Sequence, residues 1–339
     1  MDIKQAIKKL TLMQGLKEDE MHDVFALIMN GECTPSQIGG FLVALKMKTP
    51  SLEEITAAAK VMREKAVKIC VGNKETLLDT CGTGGSGKDT FNVSTLTAFV
   101  VSGAGVKVAK HGNRSFLGNC GSADILEELG VKIDVEPQVT EKCIKEIGIG
   151  FLFAPKYHLA MKHAIAPRKE LGVSTIFNIL GPLSNPASAT CHLIGVFDPG
   201  YTEIMANVLK NLGTKRAFVV HGMDGLDEIT LSDKTKVSEL KNGKVVTYYI
   251  DPEQYGLKIR DEKEFKGLDK KNNALKFKEI LSGGKGPLRD LVIFNSAAAL
   301  VVADKAIDMK EGIKIAAESI DTGKAMEKLK KLAEITGSN

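Results

Sequence analysis

At 339 residues the chain has room for two domains, or one large one, around a sizeable core. Hydrophobic content of 43% beside 26% charge argues against disorder, and a net charge of +4 with no long basic run argues against wholesale nucleic-acid binding. Six cysteines without a Cys-x-x-Cys spacing, no signal-type apolar core at the start and no run long enough to span a membrane favour a reduced, cytoplasmic chain.

Residues 1–70 read as helices. Thr34-Pro-Ser-Gln37 combines an N-cap, a proline at the first helical position and a capping-box partner, and Ser51 with Glu54 repeats the box. Ile3, Ile7 and Leu10 fall at helical spacing and predict a buried stripe. From Thr76 short apolar runs alternate with helical segments. The runs 77–79, 106–109, 131–135, 150–153, 192–197 and 217–220 read as strands, and 92–102, 122–129, 139–147 and 201–212 as helices, which predicts a mostly parallel sheet. Ligands of such sheets lie at strand C-terminal ends, where 79–87, 110–115 and 221–228 read as loops. Lys241-Asn-Gly-Lys244 reads as a hairpin turn, and the glycine-rich 282–287 as a structural loop before the closing helices.

The stretch 77–118 carries the chemistry. Gly82, Gly84, Gly85 and Gly87 let the chain turn with its amides exposed, and the helix from Asn92 would point its positive end at whatever the loop holds. Gly82-x-Gly84-x-x-Gly87 satisfies the dinucleotide fingerprint, but where an acidic ribose ligand is due the chain has Lys107, Lys110 and His111. Gly82-x4-Gly87-Lys88 is nearly a phosphate-binding Walker loop, except that Asp89 replaces the magnesium-binding hydroxyl. There remains a loop where Asn92, Ser94 and Thr95 supply donors at a helix start, faced by a second, basic loop at 110–115. Two loops on one ligand suit a pyrophosphate.

Asp79-Thr-Cys-Gly-Thr-Gly-Gly85, Thr90-Phe-Asn-Val-Ser-Thr95 and Lys110-His-Gly-Asn-Arg-Ser115 resemble the consecutive signatures of the anthranilate phosphoribosyltransferases. Ala154-Pro-Lys-Tyr-His158, Arg168-Lys-Glu-Leu-Gly172, Thr175 to Leu183, Asn185-Pro-Ala187 and Asp224-Gly-Leu-Asp-Glu228 continue the resemblance, in order, over essentially the whole chain. It implies an α/β protein with a small N-terminal helical domain (1–72, joined by 160–187) and a larger α/β domain with a mostly parallel central sheet (73–159 and 188–339), which binds phosphoribosyl pyrophosphate. It also implies a homodimer paired through the helical domain.

The same resemblance implies the site. Phosphoribosyl pyrophosphate would meet Gly82, Gly85, Ser86, Thr90, Asn92, Val93, Ser94 and Thr95 on the first loop and helix, then Lys110, His111, Gly112, Asn113, Arg114, Ser115, Gly118 and Ser122 on the second. Anthranilate would meet Gly82, Asn113 and Arg168, whose guanidinium fork suits a planar carboxylate. Ser94, Asp227 and Glu228 offer the hard oxygens that Mg2+ prefers. His111 and Arg168 are assigned to positioning, because an aromatic amine has a free lone pair and sheds its proton only as the new bond forms. The chain departs from the family at Ser86, Leu117, Gly118, Asn119 and Ser174, where an aspartate, two serines, a lysine and an arginine are usual. Two other readings are a pyrimidine nucleoside phosphorylase-like enzyme, whose second loop differs from this one, and a non-catalytic nucleic-acid-binding relative.

Overall fold

The computed structural model describes residues 1–72, 76–84, 88, 90–115 and 120–338. Four helices lead: α1 (Ile3–Thr11), α2 (Glu18–Asn30), α3 (Pro35–Lys48) and α4 (Leu52–Lys65). Both expected capping boxes form. The Gln37 N–H donates to the Thr34 hydroxyl at 3.3 Å while the Thr34 N–H donates to the Gln37 side chain at 2.8 Å. Ser51 and Glu54 do the same at 3.3 and 2.7 Å. Ile3 and Leu10 are buried as the stripe predicts, with Ile7 half-buried.

The α/β part follows as β1 (Leu77–Gly82), α5 (Val93–Gly103), β2 (Lys107–Gly112), α6 (Ser122–Glu128), α7 (Pro137–Ile147) and β3 (Ile149–Phe153). The short α8 (Ala154–Tyr157), then α9 (Lys162–Leu171) and α10 (Phe177–Leu180), interrupt the alternation, and α9 packs back on α2 and α3. The alternation resumes with β4 (Cys191–Gly195), α11 (Tyr201–Asn211), β5 (Arg216–Gly222), β6 (Thr235–Lys241) and β7 (Lys244–Ile250). The chain closes with α12 (Lys270–Leu281), α13 (Pro287–Val302), α14 (Met309–Asp321) and α15 (Lys324–Gly337). Among the described residues no helix is long and apolar enough to cross a membrane.

One seven-stranded sheet runs β3-β2-β1-β4-β5-β6-β7, parallel from β3 to β5 and antiparallel beyond. Side chains alternate across it. Phe218 and Val220 of β5 join the core under α5 and α13, while Ala217 and Val219 join the core that continues into the helical layer. The β6–β7 hairpin turns at Asn242 and Gly243, both at positive φ, as the Asn-Gly dipeptide predicts.

Two expectations are corrected. Residues 131–135 form no strand, although Val131, Ile133 and Val135 are buried and Lys132 and Asp134 exposed in perfect alternation. The segment lies outside the sheet, and the Lys132 N–H donates to the Thr336 hydroxyl at 3.2 Å instead of to a neighbouring strand. The three candidate loops also begin later than expected, because 79–82, 110–112 and 221–222 belong to β1, β2 and β5.

Glu54 does more than cap. Fully buried, it also accepts the Leu16 N–H at 2.8 Å and pairs with Lys48 at 2.8 Å. Glu54→Ala should therefore lower the unfolding free energy by about 3–5 kcal/mol in urea titrations, because it strands a mostly buried ammonium. A loss below about 1 kcal/mol would show that Lys48 finds water at no cost.

Candidate active site

Strand order reverses at β1, since β2 and β3 lie on one side of it and β4 and β5 on the other. Open parallel sheets hold ligands at the crevice beyond such a point. Here Gly82 ends β1 directly opposite Gly195 at the end of β4. A Cβ on Gly195 would lie 1.7 Å from the Asp227 carbonyl oxygen, so only glycine lets the 223–230 loop lie on the strand end. A Cβ on Gly82 would stand 3.2 Å from Asp227 Oδ2, so the Asp227 carboxylate faces the end of β1. Its neighbour Glu228 accepts the Ser94 N–H at 3.1 Å, at the start of α5.

This last contact revises the expected cradle. The Val93 N–H donates to the Phe91 carbonyl at 2.7 Å and the Ser94 N–H to Glu228, so a carboxylate of the chain itself sits at the positive end of α5. The Asn92 amide donates to the Cys120 carbonyl at 3.0 Å, and its buried Oδ1 has no partner among the described residues. Thr95 is buried, and Thr90 bridges to Lys266.

Lys110 and His111 belong to β2 and not to a loop. The Lys110 ammonium is almost fully buried, donating to the Thr80 carbonyl at 2.5 Å and to the Ser94 hydroxyl at 3.5 Å. It is therefore placed beneath the start of α5. The second loop proper begins at Asn113, whose carbonyl accepts the Ser122 hydroxyl and the Ala123 N–H, each at 3.2 Å. The Asn113 side chain accepts the Arg114 N–H at 2.8 Å. Arg114 forms a two-pronged pair with Glu127 at 2.5 and 2.8 Å and reaches Asp124 at 3.2 Å. The Ser115 N–H donates to Asp124 at 3.3 Å. Gly112 ends β2 beside this loop. Gly85, Ser86, Leu117, Gly118 and Asn119 lie outside the described residues.

Arg168 on α9 lies over the Phe177 ring, 5.0 Å from its centroid, a cation–π arrangement. Burial lowers its pKa. The same segment carries Gly181, whose carbonyl meets His111 Nδ1 at 3.1 Å. Arg168 and His111 thus flank residues 177–181. Ser174, one of the departures noted from the sequence, accepts hydrogen bonds from the Lys46 ammonium at its hydroxyl (2.7 Å) and carbonyl (2.9 Å).

Models described as "Glycosyl transferase family, helical bundle domain" and "Glycosyl transferase family, a/b domain" match residues 4–66 and 74–326. The anthranilate phosphoribosyltransferase of Acetivibrio thermocellus is 53% identical over 336 residues, 99% of this chain and 97% of that protein. The chain belongs to the anthranilate phosphoribosyltransferase family. The family member from Alkaliphilus metalliredigens is also 53% identical, with 98% of each chain covered. The crystal structure of the Thermus thermophilus anthranilate phosphoribosyltransferase superposes with a TM-score of 0.93 at 41% identity, covering 98% of this chain and 99% of that one. The Saccharomyces cerevisiae enzyme, solved in complex with PRPP and Mg, gives 0.91 at 30% identity, covering 99% and 98%.

Burial, helped by the adjacent Asp227, pushes the Glu228 carboxyl up to about 8, against the pull of Lys110 and of the Ser94 N–H. Burial lowers the Lys110 pKa, opposed chiefly by Asp79. Two carboxyls and a hydroxyl beside a helix start make a hard-oxygen donor set that fits Mg2+. Among the described residues no three His, Cys, Asp or Glu side chains could hold an ion unaided, so further oxygens would have to come from a ligand or water.

The residue-by-residue reading of the sequence missed a supporting layer. Asp79 is fully buried, accepting the His111 N–H at 3.0 Å and the Asn185 amide at 2.7 Å, and Asn185 also donates to the Ala109 carbonyl at 2.8 Å. A carboxylate inside a buried strand was the available signal, since such a group needs partners. His158 was missed too, and its ring lies 5.0 Å from that of His111.

Three buried histidines set an acid limit. Burial lowers His111 to about 3, helped by His158; it lowers His158 to about 4, and His192 to about 3 with help from Arg63. Between their unfolded value of about 6.5 and these values the unfolded chain binds protons that the folded chain does not. The histidines' contribution to stability is therefore complete above about pH 6.5 and is lost on acidification by up to ~1.4 kcal/mol per pH unit per histidine. Urea titrations at pH 7 and pH 5 should show the fall, and His192→Gln should make it shallower. An unchanged slope in that variant would mean that folded His192 takes up its proton as readily as the unfolded chain.

Proposed function

We infer that the protein transfers the 5-phosphoribosyl group from phosphoribosyl pyrophosphate to the amine of anthranilate. The products are N-(5-phosphoribosyl)anthranilate and pyrophosphate, in the second step of tryptophan biosynthesis from chorismate. The observation that carries this reading is the gathering of Ser94, Lys110, Asp227 and Glu228 around the switch point, in a chain whose full length matches the family. Saccharomyces cerevisiae relatives solved in complex with PRPP and Mg, and with 4-fluoroanthranilate, support both substrates and Mg2+.

In this reading Ser94, Asp227 and Glu228 hold Mg2+, which when bound supplies positive charge to the pyrophosphate leaving group. The first-loop residues Gly82, Gly85, Ser86, Thr90, Asn92, Val93 and Thr95 hold the diphosphate end. Lys110, His111, Gly112, Asn113, Arg114, Ser115, Gly118 and Ser122 serve the phosphoribosyl end. Glu228 must let go of the Ser94 N–H for that amide to meet a ligand oxygen. Lys110, committed to Thr80 and Ser94, acts by its charge from beneath. Gly82, Asn113 and Arg168 meet anthranilate, Arg168 pairing with the carboxylate and turning the amine toward the sugar. The C–O bond to pyrophosphate breaks ahead of attack, and the amine nitrogen bonds to the anomeric carbon from the opposite face and gives up its proton to water. His111, kept neutral by burial, positions and does not act as the base. Placement and electrostatics supply most of the acceleration.

The helical domain, taken as 1–72 with 160–187 beside an α/β domain of 73–159 and 188–339, exposes Leu12, Met13 and Met47 at 62%, 61% and 73%. Such side chains suit a homodimer interface, and the chain is assigned to the cytoplasm. Light scattering on a size-exclusion column should give twice the chain mass, and Met47→Asp should shift it toward one; a wild-type monomer would reject the pairing.

The activity is tested by following anthranilate fluorescence after adding phosphoribosyl pyrophosphate. The signal should fall with Mg2+ and stay constant with a chelator. In the same assay Arg168→Ala should raise the anthranilate KM at least tenfold, roughly the 1.4 kcal/mol or more expected of a charged hydrogen bond, with little change in the KM of phosphoribosyl pyrophosphate. Constant fluorescence at high substrate would sink the reading, and equal KM effects would remove Arg168 from the anthranilate site.

A further inference from the structure

We propose that Asn295 is a positioning residue for the phosphate end of the crevice, setting the direction of the Asp227 and Glu228 carboxylates by pinning the backbone of Ile229. The proposal rests on the reading of that acidic pair as the Mg2+ site.

Asn295 sits in the middle of α13 within Leu291-Val-Ile-Phe-Asn-Ser-Ala297, and it is completely buried. An amide in such a place is costly unless each of its groups is partnered. Its Oδ1 accepts the Ile229 N–H at 3.0 Å, and its Nδ2 donates to the Ile229 carbonyl at 2.8 Å. A second Nδ2 bond, to the Leu291 carbonyl at 2.9 Å one helical turn back, holds the side chain in this orientation. Both backbone groups of one residue are thus taken by one side chain, as a neighbouring strand would take them. That residue directly follows Glu228.

The rest of the loop is held from other sides. Gly195 leaves no room beneath the Asp227 carbonyl. Asp224 accepts the Leu226 N–H at 3.1 Å and the Thr230 hydroxyl at 2.6 Å. Helix α13 also packs along α5, whose first turn donates the Ser94 N–H to Glu228. Asn295 therefore keeps the acidic pair in register with the start of α5 through one rigid helix.

The experiment compares wild type with Asn295→Ala, Asn295→Asp, Glu228→Gln and Ser319→Ala. The last removes a buried hydroxyl bond to the Val100 carbonyl (2.7 Å) toward the far end of α5, and so controls for general destabilisation. Readouts are amide hydrogen exchange of residues 226–231, Mn2+ binding by electron paramagnetic resonance with inorganic pyrophosphate present, and the two KM values. Asn295→Ala should speed exchange in 226–231 and weaken Mn2+ binding by about tenfold, the lower end for residues that orient metal ligands. It should raise the KM of phosphoribosyl pyrophosphate while leaving that of anthranilate within about twofold; Ser319→Ala should do none of this. If Asn295→Ala does not fold, Asn295→Asp, which keeps an oxygen for the Ile229 N–H, decides on the same criteria. Mn2+ affinity unchanged by Glu228→Gln overturns the metal reading and the proposal with it. Affinity weakened by Glu228→Gln but not by the Asn295 variants overturns the proposal alone, as does an equal rise of both KM values shared with Ser319→Ala.

Discussion

The site depends on a buried ammonium. Lys110 is nearly sealed from solvent beneath the crevice, where its charge is worth several times what it would be in water, both as a cost and as an attraction. The cost is offset by oxygens from three directions. The Thr80 carbonyl and Ser94 hydroxyl are bonded to it, Asp79 is the chief charge that opposes the effect of its burial, and the Glu228 carboxyl lies on the third side. Each of those groups is in turn fixed by another element: Asp79 by His111 and Asn185, Ser94 and Glu228 by one another. β1, β2, α5, the acidic loop and the segment after α10 are thus tied around a single charge.

This arrangement explains how the chain tolerates an acidic pair at the mouth of a phosphate site. With Glu228 on the Ser94 N–H, the first turn of α5 is already capped by a carboxyl oxygen of the chain itself. A substrate phosphate competes with that carboxylate for the helix end, and the same carboxylate is the one proposed to turn to a cation arriving with the phosphate. Burial first, and the adjacent Asp227 second, raise the Glu228 pKa, so the folded chain disfavours two negative charges side by side without such a cation. Backbone precision at the loop comes from packing: Gly195 admits the Asp227 carbonyl and Asn295 holds Ile229.

Local patterns were legible wherever the physics is local. The Thr34 and Ser51 caps and the Asn242-Gly243 turn are decided by residues a few positions apart, and all form as their sequences indicate. The alternation at 131–135 misled because burial on one side writes the same pattern whether or not a neighbouring strand supplies hydrogen bonds. The loop boundaries were misjudged for a related reason. Polar residues such as Lys110 and His111 look like loop chemistry, yet parallel pairing with β3 runs through them to Gly112.

The sequence by itself determined the family and, apart from the strand expected at 131–135, the order of helices and strands, because these rest on residue type and near spacing. Only the tertiary structure decided that Glu228, 134 positions from Ser94, bonds to its amide, that Lys110 lies beneath the site, and that Asn295 reaches 66 positions back to Ile229. Those contacts join elements through the twist and stacking of a sheet whose neighbours are set by its crossovers, and their cost or benefit is settled by burial, which exists only once the layers have packed.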